Sequence, residues 1–304
     1  MTRPSLRAAL ARERPLVTPL AHDALSARLI ERAGFAAFAI GGSAMLAARH
    51  ALPDIGLIGL ADMAAGIRDI AAATAIPFLA DGDDGYGDVK GVARLVETYE
   101  SLGVGGILIE DQQRERKQQR AEKAQGVVDA ATIGQKLRTA LAARGNPETM
   151  IIGRTDAYGV LGLDAALQRA DMFLSLGVEG VFVAGLRTPE EFERVGATLR
   201  GAFLSAAMFE GGDTPWLTPA ALAEMGFTHV SYPATVLFRA VAAMNSVLAA
   251  LRGHAEGRAM FQPLAEFAQV RESVDDAVRL ARWKQIETDY GQGRPQSSGV
   301  GATE

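Results

Sequence analysis

The sequence predicts an α/β fold, a (β/α)₈ TIM-type barrel followed by extra C-terminal helices. Three observations predict it. The chain has 304 residues, which suffices for one large domain. Short apolar segments rich in Val, Ile and Phe alternate with helical patterns, as expected of parallel strands buried on both faces. In four places a helical pattern ends in glycine, which is favoured just past a helix C-terminus, and an apolar segment follows (Gly34, Gly103, Gly177 and Gly226).

Eight strands are predicted in order along the chain. They span residues 16–19, 36–41, 77–81, 106–111, 150–155, 180–184, 202–206 and 228–232. The helical patterns span residues 23–33, 61–73, 89–102, 129–143, 164–176, 189–199 and 219–225. Pro189 and Pro219 suit first helical turns because each follows a threonine that can cap a helix. Repeated βα units with right-handed crossovers favour a closed barrel. An open doubly wound sheet is the alternative, but the glycine-rich phosphate motifs common in that fold are missing from the sequence.

The predicted domain organisation has three parts. The barrel spans residues 1–253, residues 254–290 form helices that pack in an oligomer, and residues 291–304 form a disordered Gly/Ser tail. One of the C-terminal helices is predicted over residues 270–288. Within the barrel, residues 112–126 follow the fourth strand and carry five basic and two acidic side chains. This segment is either a lid whose cations attract an anionic substrate or a solvated charged loop.

Composition argues against several classes of function. The chain has 31 Lys and Arg against 36 Asp and Glu, a net charge of −5, which disfavours a nucleic-acid-binding protein. It has no Cys, so thiolate metal sites and cysteine nucleophiles are excluded. We find no apolar leader and no run close to the roughly 18 apolar residues of a membrane span. We therefore expect a cytoplasmic protein without a membrane or nucleic-acid partner.

Polar residues follow the predicted strands at their carboxyl ends, where β/α barrels carry their chemistry. These polar ends are Gly41–Ser43, Asp81–Gly87, Glu110–Gln112, Arg154–Asp156 and Glu210–Gly212. Asp81 and Asp83 lie two residues apart and repel each other, so a cation beside them is favourable. Glu110 completes a set of hard oxygen donors that suits Mg²⁺ or Mn²⁺. The alternative is a glycine-rich acidic turn that is simply solvated.

Arg154 is the candidate anchor for a carboxylate or an oxyanion. A salt bridge to Asp156 or Glu110 is the structural alternative. The four histidines are scattered, and none is assigned a role; they are His22, His50, His229 and His254.

Six segments in series resemble the isocitrate lyase/phosphoenolpyruvate mutase superfamily over about residues 5–250. They are residues 52–57, 81–87, 110–112, 153–157, 210–215 and 232–233. The resemblance implies a barrel whose last helix is swapped between subunits of a homotetramer. It also implies Mg²⁺ held at Asp81, with Asp54, Asp83 and Glu110 acting largely through water. A small 2-oxo or 2-hydroxy carboxylate would chelate the ion.

The same resemblance assigns substrate-binding residues. Backbone groups of Gly41, Gly42 and Ser43 would bind the substrate carboxylate, and Arg154 would stabilise the developing oxyanion. Asp81 and Glu210 are further candidates for substrate binding.

The chain departs from the lyases of this family at three places. Their Lys-Arg-Cys-Gly-His loop, whose Cys is the general acid, is replaced by residues 116–120, which read RKQQR. A strand-six Glu is replaced by Ala184 and a strand-seven Asn by Ala207. The proton donor is therefore open between Tyr86, Lys117 and a metal-bound water.

The missing acid favours decarboxylation of an oxaloacetate-like substrate over methylisocitrate-type cleavage. Decarboxylation needs no acid to break the bond, whereas a retro-aldol split needs both an acid and a base. Against this, the strand-eight turn, residues 232–235, is closer to the lyases. The alternatives are phosphonopyruvate hydrolase or phosphoenolpyruvate mutase chemistry at a phosphorus–carbon bond, and a non-catalytic carboxylate-binding barrel.

Overall fold

The computed structural model describes residues 3–118 and 124–291. The chain divides between Val247 and Leu248 into two compact units. The predicted boundary after residue 253 stays a prediction, and the predicted tail lies almost wholly outside the described residues.

The first unit contains an eight-stranded parallel sheet, as predicted. Its strands are β1 (Leu16–Pro19), β2 (Phe38–Ile40), β3 (Phe78–Asp81), β4 (Gly106–Glu110), β5 (Met150–Thr155), β6 (Gly180–Val183), β7 (Phe203–Ala207) and β8 (His229–Tyr232). The order is β1-β8-β7-β6-β5-β4-β3-β2. A parallel bridge between Leu20 and Ala39 joins β1 to β2 and closes the circle. The prediction of a (β/α)₈ barrel is confirmed.

The described residues form thirteen α-helices. They are α1 (Leu6–Arg12), α2 (Ala24–Arg32), α3 (Gly42–His50), α4 (Leu60–Ala73), α5 (Val89–Ser101), α6 (Ala130–Ala143), α7 (Ala157–Leu161), α8 (Leu163–Ser175), α9 (Pro189–Thr198), α10 (Pro219–Glu224), α11 (Thr235–Ala255), α12 (Phe267–Ala277) and α13 (Leu280–Tyr290). All seven predicted barrel helices are present, and Pro189 and Pro219 each occupy a first turn behind a capping threonine.

α3 was not among the predicted helices. It begins just after β2, and its cap residue, Gly41, makes no side-chain hydrogen bond. Two of the sequence expectations are corrected. The helix expected over residues 270–288 is divided into α12 and α13 by Arg279, whose backbone is left-handed with φ of 56°. α11 has 21 residues and is, by length and composition, apolar enough to cross a membrane. The expectation that no segment has that composition was wrong, although the same composition suits a helix that packs against protein.

The barrel interior is sealed at its amino-terminal end by α1. Strand residues alternate between a cluster that faces the surrounding helices and a smaller cluster that contains Leu16, Leu79 and Ile152 together with Leu6 of α1. A Cβ at Gly106 would lie only 2.8 Å from the Leu6 side chain, so glycine at this position lets α1 approach closely. The site described below lies at the opposite end of the strands.

Candidate active site

A cavity opens at the carboxyl ends of the strands, and its wall has two chemically different halves. From β2 to β5 it is lined by Gly41, Asp81 and Arg154. From β6 to β8 its lining includes Phe182 and Ala207, with serine hydroxyls as well. The cavity therefore offers charged groups on one side and mainly uncharged groups on the other.

Three carboxylates form the acidic cluster, which we define as Asp54, Asp81 and Asp83. One oxygen from each lies within 4.8 Å of the others. Asp81 is the last residue of β3, Asp83 follows in the turn, and Asp54 comes from the loop between α3 and α4. The turn is held in place because Asp83 accepts a 2.8 Å hydrogen bond from the Glu110 amide through its own carbonyl. The carboxyl ends of barrel strands converge, so carboxylates that are distant in the sequence lie close together.

The amino terminus of α3 lies beside the acidic cluster. A Cβ built on Gly42 would be 3.6 Å from an Asp54 oxygen and 3.7 Å from an Asp81 oxygen. The first amides of a helix have no acceptor within the helix, and its dipole favours a negative charge there. Gly41, Gly42 and Ser43 all line the cavity. Their backbone can therefore bind a carboxylate that bridges toward the cluster.

Lys117 extends from the segment after β4 into the cluster. Its Nζ lies 3.0 Å from Asp54 Oδ1, 3.5 Å from Glu110 Oε1, and in contact with Asp83 Oδ1. Its side chain is only 4% exposed. Burial alone would lower the pKa of Lys117, but the surrounding carboxylates raise it well above its ordinary value. Lys117 is therefore positively charged while these carboxylates surround it.

Arg114 fixes the same segment against neighbouring loops. Its guanidinium lies 3.1 Å from Asp84 Oδ1 and donates 3.3 Å to the carbonyl of Gly56. These contacts account for the deep position of Lys117, which sits three residues further along the chain.

Arg154 is held between two carboxylates. Its Nη1 lies 2.9 Å from Glu110 Oε2 and its Nη2 donates 2.8 Å to Asp156 Oδ1. Its guanidinium carbon also lies 5.6 Å from the centre of the Phe182 ring, which restricts the plane of the group. Burial would lower the pKa of Arg154, but Asp156 and Glu110 raise it well above its usual value. The predicted salt bridges and the predicted anchoring role are thus compatible, because further N–H groups remain to face the cavity.

The pKa values of the carboxyl groups are shifted in opposite directions, although burial acts on all of them in the same way. Burial raises the pKa of Asp83 to about 8 despite the opposing effect of Lys117, and it also raises the pKa of Asp81. Burial would raise the pKa of Glu110 too, but Arg154 and Lys117 hold it below its usual value. Burial thus disfavours the charged forms of Asp81 and Asp83, and a further cation beside them would lower both pKa values.

This donor set fits a hard divalent cation. Glu110 is almost fully buried, and its two oxygens form ion pairs with Arg154 and Lys117 without a hydrogen bond of good geometry. The acidic cluster and Glu110 together contribute four carboxyl groups, and the cations nearest to them are Lys117, Arg154 and Arg114, which lies 3.8 Å from Asp83. An all-oxygen set of this kind suits Mg²⁺ or Mn²⁺, with water completing the octahedron.

Four predicted site residues do not line the cavity: Asp83 and Glu110, which contact Lys117, and Tyr86 and Glu210. Tyr86 is half-buried, and its hydroxyl lies 3.4 Å from that of Tyr99, which in turn donates to the Asp81 carbonyl. Burial raises the pKa of Tyr86 well above its ordinary value. Glu210 forms a 3.0 Å ion pair with Arg239 of α11. Their predicted roles remain predictions.

A buried polar network in the barrel interior was missed in the sequence. His229 Nε2 lies 2.7 Å from the Thr18 hydroxyl and its Nδ1 lies 2.8 Å from the Ser205 hydroxyl. Burial lowers the pKa of His229 to about 3, so the ring is neutral. His229, Ser205 and Ser231 line the cavity. The signal was the period of two in β8, which places residues 229 and 231 on the same side.

The positions at which this chain departs from the lyases of the family also line the cavity or lie near it. Ala207 and Gln118 are part of its wall, and Ala184 is fully buried at the end of β6. The Gln118 amide donates 2.7 Å to Gln112 Oε1, which orders the last described residue before the gap.

Comparisons with known proteins agree with this geometry. The phosphoenolpyruvate phosphomutase family model matches residues 6–252. The chain is 32% identical to 2,3-dimethylmalate lyase of Eubacterium barkeri, over 96% of this chain and 99% of that protein. A structure of oxaloacetate acetylhydrolase with the inhibitor 3,3-difluorooxalacetate is 28% identical, with a TM-score of 0.85 and coverage of 96% and 97%. A phosphonopyruvate hydrolase complex with oxalate and Mg²⁺ is 26% identical, with a TM-score of 0.79 and coverage of 94% and 98%.

Proposed function

The chain belongs to the isocitrate lyase/phosphoenolpyruvate mutase superfamily, and from that membership we propose that it is a divalent-metal-dependent carbon–carbon lyase. Its substrate would be a small 2-oxo or 2-hydroxy di- or tricarboxylate that reacts through an enolate. Mg²⁺ is the proposed cofactor, with Mn²⁺ as a substitute.

One observation carries this proposal. Asp54 and Asp81 line the same cavity as Arg154, and one oxygen of each lies within 4.8 Å of one oxygen of Asp83, the third member of the acidic cluster. Of the four proposed metal-binding carboxylates, Asp81 would hold the ion directly and Asp54, Asp83 and Glu110 would hold it largely through water. When bound, the metal would polarise the 2-oxo group and stabilise negative charge that develops on it.

The residues around the metal site would position the substrate. The backbone of Gly41, Gly42 and Ser43 at the start of α3 would bind the carboxylate next to the reacting carbon. Arg154 would donate hydrogen bonds to the oxyanion as it forms, in an orientation fixed by Glu110 and Asp156. The uncharged half of the cavity wall would exclude water and so strengthen these interactions.

Within this class we favour decarboxylation. The carbon–carbon bond to the leaving carboxylate breaks and CO₂ departs. The electron pair of that bond remains on the other carbon and forms the enolate. Water later protonates this carbon. No acid is needed for the first step. Tyr86 does not line the cavity, and the Lys117 ammonium is held among three carboxylates, which supports a reaction that needs no acid.

Retro-aldol cleavage, as in methylisocitrate lyase, is the second candidate. The similarity to 2,3-dimethylmalate lyase over nearly the whole length of both chains favours it. Phosphorus–carbon chemistry is a further alternative, supported by the similarity to phosphonopyruvate hydrolase. A non-catalytic barrel would bind a carboxylate and be stabilised by it without turnover.

A substrate panel tests the proposal. The purified chain is incubated with Mg²⁺ and oxaloacetate, 2-methylisocitrate, 2,3-dimethylmalate or phosphonopyruvate, and pyruvate and phosphate are measured against protein-free controls. We expect pyruvate from oxaloacetate at a rate that falls at least about 100-fold in Asp81→Ala. Asp164→Ala, which removes an exposed partner of Arg194 outside the cavity, should retain the rate. Absence of turnover with every compound would contradict the proposed lyase activity, and release of phosphate from phosphonopyruvate, or its migration within that molecule, would select the phosphorus–carbon alternative.

We also propose that the chain works in the cytoplasm as a homo-oligomer, a tetramer by resemblance. Residues 254–290 would contribute to subunit packing. The exposed apolar side chains of α11 support this assembly, and the corresponding test is given below.

A further inference from the structure

Lys117 contacts the same carboxylates that are proposed to serve the metal. Its ammonium reaches Asp54 at 3.0 Å and Glu110 at 3.5 Å, and it contacts Asp83 directly. An ammonium group has three N–H donors, and here three carboxylates surround it. All three carboxylates are largely buried, so little solvent screens these contacts.

The ammonium group of Lys117 donates to the same carboxylate oxygens that metal-bound water would use in the proposed site. Waters around a hydrated cation would donate hydrogen bonds to Asp54, Asp83 and Glu110. Lys117 already donates toward those oxygens. A divalent ion beside the acidic cluster would also repel a positive charge held at 3.0 Å from one of its members.

A second buried lysine shows what an ordinary structural pairing looks like in this chain. Lys136 Nζ donates 2.6 Å to the carbonyl of Asp84 and lies 3.3 Å from its carboxylate. It contacts no member of the acidic cluster. Lys117 differs because all of its acidic partners belong to the proposed metal site.

We propose that Lys117 is a built-in counter-ion of the metal site, which a divalent cation displaces from Asp54 and Asp83 when it binds. This inference rests on the proposed metal site. Lys117 is then a positioning residue that sets metal affinity. Since Lys117 directly precedes Gln118, which lines the cavity, its displacement would change the cavity wall in step with metal binding.

The first test compares metal binding by calorimetry, with Mg²⁺ and Mn²⁺ as the only added ligands. We expect Lys117→Met to bind either ion at least tenfold more tightly than the unaltered chain, and Lys117→Arg to stay near the original affinity. Lys136→Met is the matched control, and its metal affinity should not change. Equal or weaker binding by Lys117→Met overturns the inference.

The second test needs no substitution, so it stands even if a variant fails to fold. Amine groups of the unaltered chain are dimethylated under native conditions with and without Mg²⁺, and labelling is measured by mass spectrometry. Displacement predicts at least a severalfold increase in Lys117 labelling with Mg²⁺, and constant labelling of Lys136. Unchanged Lys117 labelling at saturating Mg²⁺ overturns displacement, even if affinity rises in Lys117→Met.

The two proposals fail in distinguishable ways. If neither the unaltered chain nor any variant binds Mg²⁺ or Mn²⁺, the proposed metal site is wrong, and the inference about Lys117 is wrong as well. If the metal binds but Lys117 neither limits its affinity nor changes its labelling, only the inference about Lys117 falls.

Discussion

At the scale of single residues, Arg154 connects the two parts of the site. It is bound by Glu110 on one side and Asp156 on the other, and it stacks on Phe182. A planar guanidinium can hold both carboxylates and still present donors to a ligand, which a lysine ammonium cannot do with the same geometry. The position of Arg154 is therefore set by its shape as well as by its charge.

Replacing Arg154 with lysine should therefore impair catalysis more than folding. We expect kcat to fall by about 100-fold because an oxyanion donor is lost, with a smaller change in KM. Steady-state kinetics on the substrate identified by the panel, together with thermal unfolding, measures both effects. The control is Arg169→Lys, since Arg169 lies 3.0 Å from buried Asp111 outside the cavity. An equal loss of kcat in both variants would mean that Arg154 acts only through stability.

Sequence reasoning reached the acidic residues of the site and Arg154, and it named Lys117 as a candidate proton donor, but it did not predict that Lys117 is buried among the carboxylates. Asp81, Asp83 and Glu110 were accessible because they end or follow apolar strands, and barrel topology brings such ends together. Lys117 lies in a polar segment without periodicity, so its burial depends on contacts of Arg114 that no local pattern encodes. His229 was overlooked because it lies inside a strand, where only its register in the barrel shows that it faces the cavity.

At the scale of elements, strands were easier to predict than helices that lack a cap. Every strand follows a turn or glycine signal and has a short apolar pattern. α3 has no capping side chain, and α11 begins directly after the Pro233 turn. No residue pattern therefore marks the first residue of either helix. α11 is also unusual in its surface. Its exposed apolar side chains recur every three or four residues along one face: Phe238, Val241, Met244, Leu248 and Leu251.

This face of α11 predicts self-association. Light scattering should give a mass several times the 32.1 kDa of one chain. Met244→Glu combined with Leu248→Glu should shift the mass toward one or two chains, because burying carboxylates at an apolar interface is unfavourable. Ser246→Glu, on the opposite face of α11, is the control and should preserve the larger mass. A monomeric unaltered chain would contradict the prediction.

At the scale of the whole molecule, the buried ring of His229 makes stability depend on pH. Burial lowers its pKa in the folded chain to about 3, whereas the unfolded chain has the ordinary value of about 6.5. Between these values only the unfolded state binds the proton. The contribution of His229 therefore makes stability fall as the pH falls through this window, by about 1.4 kcal/mol per pH unit.

His229→Gln removes this titration and keeps a side chain that can bond to Thr18 and Ser205. The difference in unfolding free energy between the original chain and the variant should change with pH from 6.5 downward with the slope given above. Denaturant titrations between pH 4 and 8 measure it, and the other ionisable groups cancel in the comparison. A difference that is constant across this range would show that the ring is not kept neutral by burial.

The contact between α1 and β4 also constrains how molecules reach the interior. Leu6 fits against Gly105 and Gly106, so among the described residues the barrel is plugged at that end. Among the described residues, this leaves the rim where Gln118 lines the cavity as the side from which a compound would enter and the fragments made from it would leave. A fragment still bound at this rim would therefore delay the arrival of the next compound.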